Sequence, residues 1–157
     1  MADVPMTTKG YQFLLDEMKR LKTVERPKNI REIEEARGHG DLSENAEFHA
    51  AKERQSLLDL QIREIEDKVA RAQVIEVGKL SGEKVVFGAT VSLADGDTGD
   101  KVVYQIVDDH EAEPKNGKIS ISSPISRALI GKYPGDVAEV IAPGGVREYE
   151  ILDVKYV

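Results

Sequence analysis

Apolar residues recur every three or four positions through the first half of the chain, and every two positions through much of the second. The first spacing predicts helices. Tyr11, Leu14, Met18 and Leu21 form one seam. Phe48, Ala51, Gln55, Leu58, Ile62, Ile65, Val69 and Ala72 form a longer one, with a single polar interruption at Gln55. Between them, Gly38-His39-Gly40-Asp41 breaks any helix and predicts a tight turn. Antiparallel pairing sets Leu21 opposite Ile62, Met18 opposite Ile65, Leu14 opposite Val69 and Tyr11 opposite Ala72, all about one centre just after Asp41. Nearer the turn, Val24, Ile30 and Ile33 match Leu58, Ala51 and Phe48 only after a slip of one or two residues. Pro27 sits at that slip, which predicts a kink or register shift there. Arms of roughly 30 residues would extend about 45 Å as helix. A two-helix hairpin is too thin to bury much core, so it reads as a probe.

Beyond Gly78 the residues change from Glu, Lys, Arg, Leu and Ala to Val, Ile, Gly, Ser and Thr. We place a boundary there, with residues 1–76 a coiled-coil hairpin and 77–157 a small α+β domain. Phe87, Ala89, Val91 and Leu93 alternate with Gly88, Thr90 and Ser92, as a half-buried strand requires. Asp95-Gly96-Asp97-Thr98-Gly99 is turn chemistry before a strand over 102–107. Ile119 and Ile121 alternate with Ser120 and Ser122. Ser123 followed by Pro124 predicts a short helix through Leu129 that stops at Gly131. A last hairpin turns at Pro143-Gly144-Gly145, and a bulge near Ile151 reconciles the change of parity in its final strand.

Charge narrows the function classes. The 157 residues carry 22 Lys+Arg against 29 Asp+Glu, a formal charge of −7. The first half has 13 basic and 16 acidic residues and the second 9 and 13, so neither is a basic module for gripping duplex DNA. Absence of cysteine excludes disulfides, thiolate metal sites and thiol nucleophiles, and fits a reducing cytoplasm. No run of about 18 apolar residues offers a membrane span. The first residues lack a signal-peptide pattern. The expected location is the cytoplasm.

The turn region holds the candidate chemistry. Asp41 as N-cap with Glu44 three residues on would close a capping box for the second helix, a purely structural role. The alternative to that favoured structural role is that two carboxylates at the end of a probe share a hard divalent cation, provided another protein completes the site. Arg37 and Lys52, with Arg54 nearby, are either solvated flank charges or a track for a phosphate chain. Phe48 either packs under the turn or stacks on a base, and Asn45 can cap the turn. His39, His49 and His110 lack zinc-site spacing, and nucleophile-elbow and phosphate-loop motifs are absent.

The block Glu-Glu-Ala-Arg-Gly-His-Gly-Asp-Leu-Ser-Glu-Asn-Ala-Glu-Phe-His-Ala-Ala over 34–51 resembles the hairpin tip of the bacterial transcript cleavage factors, the Gre family. The stretch Ile-Ser-Ile-Ser-Ser-Pro-Ile-Ser-Arg-Ala-Leu-Ile-Gly-Lys over 119–132 and the closing Pro143-Gly144-Gly145 are similar to that family too. The resemblance implies an N-terminal coiled-coil hairpin that enters the secondary channel of RNA polymerase, and an FKBP-like C-terminal domain that docks at the channel rim. Asp41 and Glu44 match the family's tip carboxylates, which hold and use the polymerase's Mg²⁺; the chain would need no cofactor of its own. Arg37, Lys52, Phe48 and Asn45 would then contact the nascent RNA 3′ end. Tyr is common in the family where Phe48 stands, so stacking is retained without the hydroxyl. Arg127 and Asp109 are the residues chosen for the docking face. The expected activity is stimulated cleavage of backtracked RNA by a monomeric factor that is not itself an enzyme. The competing readings are a channel-blocking inhibitor, a prolyl isomerase or chaperone, and a plain coiled-coil adaptor.

Overall fold

A computed structural model describes residues 3–41 and 44–157; Leu42 and Ser43 of the tip lie outside the described residues. The fold is α+β, a helical hairpin followed by a sheet domain. One compact unit comprises Tyr11–Ala72 with the residues up to Val4, and the other joins Pro5–Gly10 to Gln73–Val157. Among the described residues no helix is long and apolar enough to cross a membrane.

The hairpin's first arm is α1 (Thr8–Arg20), a π-helical turn (Leu21–Glu25) and α2 (Arg26–Arg37); its second is α3 (Ala46–Ala70). The π-turn is the form the expected slip takes. Arg26 N–H reaches back to Leu21 O, which adds one residue to the turn just before Pro27. Leu21, Leu58 and Ile62 bury together with Ile65 against them, so the Leu21–Ile62 pairing holds. Towards the tip the expectation needs correction. Val24 and Ile30 are exposed, and the inward positions are Asn29, Ile33 and Ala36. An α-helix continued from Leu21 would have turned Lys28, Glu32 and Glu35 into the seam; the extra residue of the π-turn rephases the arm and keeps them out. The α3 seam also ends earlier than its spacing suggests. Arg71 is its C-cap, and Ala72 begins a strand.

That strand, β2 (Ala72–Ile75), pairs with β1 (Val4–Thr7). The main sheet has the order β5-β4-β3-β7-β6, built from β3 (Thr90–Asp95), β4 (Lys101–Val107), β5 (Lys118–Ser120), β6 (Val137–Ala142) and β7 (Gly145–Lys155). All neighbours are antiparallel except β4 and β5. The predicted alternation holds: Phe87, Ala89, Val91 and Leu93 are buried, with Ile106, Leu129, Ala138, Ile151 and Val154, in one core. The expected bulge falls at Leu152, since Ser92 faces Asp153 while Leu93 faces Ile151. Helix α4 (Pro124–Leu129) opens with Ser123 accepting from Ser126 N–H and Pro124 as its first residue, and it packs beside β6.

Within the sheet unit a buried polar tie anchors the start of the chain. Thr7 Oγ1 accepts from Gly10 N–H at 3.0 Å, which caps α1, and donates to the Glu111 carboxylate at 2.7–2.8 Å. His110 bridges Asp108 Oδ2, 2.5 Å from Nδ1, and Gly10 O, 3.2 Å from Nε2.

Candidate functional site at the hairpin tip

Helix α2 ends at Arg37, and the chain turns through Gly38 and Gly40, whose φ of 108° favours glycine. Gly38 N–H bonds back to Glu34 and Glu35, His39 N–H to Ala36 and Gly40 N–H to Arg37. The tight turn predicted there is therefore present.

Helix α3 begins at Ala46, and its N-cap is Asn45, in extended geometry. Asn45 Oδ1 accepts from Phe48 N–H at 3.0 Å, while Nδ2 donates across the turn to Ala36 O at 2.6 Å. One side chain thus caps the second arm and fastens it to the first. This overturns the capping box expected of Asp41 and Glu44, since the helix starts after both of them. Both carboxylates are exposed, and they line a depression of about 500 Å³ with His39, Asn45, Ala46 and Glu47. His39 Nε2 stands 3.5 Å from Glu47 Oε2 across the opening.

Arg37 and Phe48 come together from opposite arms. The Arg37 guanidinium carbon lies 5.9 Å from the Phe48 ring centroid, a cation–π contact. The ring is half-buried and meets His49 edge-on at 5.8 Å, so it keeps partial access to solvent. Lys52 stands a turn further along α3, where Nζ donates to Gln55 Oε1 at 2.9 Å. Arg54 forms an ion pair with Glu32 of the other arm. The geometry gathers Asp41, Glu44, Asn45, Arg37 and Phe48 at one end of the unit and leaves Lys52 and Arg54 along its flank.

As metal ligands, Asp41 and Glu44 offer hard oxygen donors suited to Mg²⁺. Among the described residues no three His, Asp or Glu side chains converge.

The two residues expected at a docking face sit on different elements of the sheet unit. Asp109, on a 3₁₀ turn (Asp109–Glu111), accepts hydrogen bonds from Ser122 Oγ at 2.9 Å and from Ser120 Oγ. Arg127 is exposed on α4, where it borders a depression with Lys132, Glu139 and Glu148. The sequence reading missed Asn29, which is 3% exposed and donates from Nδ2 to Ala51 O at 3.0 Å. An asparagine within a helical run carries no signal that separates it from solvated polar positions.

Comparisons with known proteins agree over the whole chain. A family profile described as transcription elongation factor, N-terminal, matches residues 4–74, and one described as transcription elongation factor, GreA/GreB, C-term, matches residues 80–156. Transcription elongation factor GreA of Caulobacter vibrioides (strain NA1000 / CB15N) is 65% identical over 156 residues, 99% of each chain. That of Bartonella henselae is 59% identical over 157 residues, all of both chains. Among solved structures, GreA factor homolog 1 (Gfh1) of Thermus thermophilus is 30% identical, with 97% of this chain and 98% of that one covered at a TM-score of 0.44.

Proposed function

This chain belongs to the GreA/GreB family of transcription elongation factors, and from that premise we propose that it stimulates RNA cleavage by carrying Asp41 and Glu44 into the secondary channel of RNA polymerase. The observation that supports this most directly is the cap assignment. With Asn45 as N-cap, a capping box does not account for the two acids at the apex. A retained Mg²⁺ would lower the pKa of its water and balance the charge on the phosphate in an in-line displacement. Asp41 supplies carboxylate oxygen to that shared ion, and Glu44 orients the attacking water and accepts its proton. The Arg37 guanidinium pairs with RNA phosphate, and the open side of the Phe48 ring stacks on a base at the 3′ end. Asn45 holds the two arms at the separation this requires. Lys52, on the flank, steers the RNA backbone towards the tip. The factor completes another enzyme's site, so by itself it hydrolyses nothing, and it works as a cytoplasmic monomer. The sheet unit docks on the polymerase, with Arg127 and Asp109 on the docking face.

The test is incubation of the purified protein with stalled, backtracked polymerase carrying 3′-labelled RNA. Cleavage is expected with the wild type. Asp41→Ala and Glu44→Ala should bind the polymerase equally well and release no labelled fragment. Binding that slows nucleotide addition without cleavage would make the protein a channel inhibitor instead. Cleavage of free RNA without polymerase would make it a nuclease.

A further inference from the structure

We propose that Asn29 is a positioning residue for the tip: its buried amide fixes the rotation of α2 against α3 and thereby keeps Arg37 on Phe48. The activity readout rests on the cleavage function above; the register readout does not.

A primary amide in an apolar seam is unfavourable unless it is bonded, and Asn29 is bonded across the seam to Ala51 O. The residues around it specify register weakly. Ala36 and Ala51 are small, so the only large inward apolar side chain of α2 is Ile33. Immediately beside Asn29 stands Ile30, which is 45% exposed. Two phases of α2 are therefore compatible with a buried Ile33. In the observed phase Asn29, Ile33 and Ala36 face inward. In the neighbouring phase, a rotation of roughly 60° at 3.6 residues per turn, Ile30, Ile33 and Arg37 would do so. Apolar burial by itself favours the second, because it covers Ile30. That phase would draw Arg37 into the seam and change its seating on the Phe48 ring. The Asn29–Ala51 hydrogen bond selects the first, alongside the cost of drawing the Arg37 charge inward. A lone buried asparagine commonly fixes register in coiled coils at some cost in stability. The π-turn, where the seam is already rephased, is the place in the arm where a change of phase would be taken up.

The experiment uses Asn29→Ala and the double variant Asn29→Ala/Ile30→Ala. The chain has no cysteine, so Glu32→Cys with Arg54→Cys, the ion-paired positions across the arms, gives a unique thiol pair that a short bis-maleimide, of about the reach of the ion pair, can cross-link as a register reporter. In the free protein Asn29→Ala should slow that cross-link severalfold with little change in melting temperature. With backtracked polymerase, its maximal stimulated cleavage should fall by about tenfold to a hundredfold, the range expected of a misplaced group. The factor concentration giving half-maximal stimulation should stay unchanged. Removing Ile30 as well removes the driving force for the wrong phase, so the double variant should recover both cross-linking and cleavage. A purely structural asparagine predicts the opposite, a further loss on the second truncation. The proposal is overturned if Asn29→Ala cross-links and cleaves as wild type, or if the double variant is no better than the single one. A fall in melting temperature that Ile30→Ala does not reverse also overturns it and makes Asn29 a folding residue. A wild type that cross-links but stimulates no cleavage overturns the proposed function, and the cross-linking result then decides the register claim alone.

Discussion

The two units solve the problem of holding one conformation by opposite means. In the sheet unit Leu93, Ile106, Leu129 and Ile151 are all but inaccessible, and their interlocked shapes fix strand register. In the hairpin the best-buried seam residues towards the tip are Ile33, Ala36 and Ala51, small or isolated, and polar groups make the specific contacts: Asn29 to Ala51, Asn45 to Ala36 and Phe48. Apolar packing supplies most stability, yet it is non-directional. A thin hairpin lacks enough of it to specify the geometry of its end. Stability and tip geometry therefore reside in different residues, and substitutions should separate them.

The largest separation is expected in the sheet core. Leu93→Ala removes a fully buried side chain and should destabilise by about 2–5 kcal/mol. Thermal melting and denaturant titration measure that cost. Well below the melting transition, cleavage per bound factor should be unchanged, because Leu93 has no part in the tip. A folded Leu93→Ala protein with impaired cleavage would break the division between the units.

A smaller effect compares two helix caps, one in each unit. Thr7→Val removes the cap of α1 and leaves the Glu111 carboxylate without its hydroxyl donor, at a cost of about 1–3 kcal/mol. Asn45→Ala removes the cap of α3 and should cost about 1 kcal/mol. The order reverses for function. Asn45→Ala also cuts the bond to Ala36 O, so it should reduce stimulated cleavage strongly, whereas Thr7→Val should leave it intact at temperatures where it is folded. Parallel loss of stability and cleavage across the two variants would sink the contrast.

The same division explains what could be read from the sequence. The hairpin, its turn and the Leu21–Ile62 pairing follow from 3–4 spacing, since periodicity reports apolar faces directly. The slip at Pro27 is visible as a mismatch between two registers, but its form as a π-turn, with Asn29 inward in place of Ile30, depends on a backbone bond that side-chain spacing does not report. At the tip, Asp41 with Glu44 satisfied the local capping rule, and so did Asn45 preceding Phe48. The bond from Asn45 to Ala36 belongs to the other arm, and no local rule contains it. In the sheet unit the alternating strand, the Ser123-Pro124 helix start and the bulge were legible because each is a local pattern. Parallel pairing of β4 with β5 was not, because it depends on the chain's path through two 3₁₀ turns.

The smallest expected effect contrasts two carboxylates that are stabilised as anions by different means. In the sheet unit the backbone N–H groups of Asp97 and Thr98, 2.8 and 3.2 Å from Asp95, hold its carboxyl below the usual range, with Arg147 assisting. In the hairpin the Lys22 ammonium, 2.7 Å away, does the same for Glu66, by hydrogen bond and by charge. Both folded-state values are depressed, so each acid contributes stability that is present in full above the ordinary carboxylate value of about 4. That contribution is lost as pH falls through the depressed folded value. Asp95→Asn and Glu66→Gln keep an acceptor oxygen and remove only the charge. Each should lower the melting temperature slightly near pH 6, and the gap to wild type should close on acidification. Salt then tells them apart. At about 1 M ionic strength the Debye length is about 3 Å, so the exposed Lys22–Glu66 pair is screened and the Glu66→Gln gap should vanish. Fixed N–H donors in direct contact with Asp95 are not displaced by salt, and the Asp95→Asn gap should persist. Equal salt sensitivity of the two gaps would mean that an exposed ion pair and a preorganised turn are energetically alike here, contrary to the division drawn between the hairpin and the sheet.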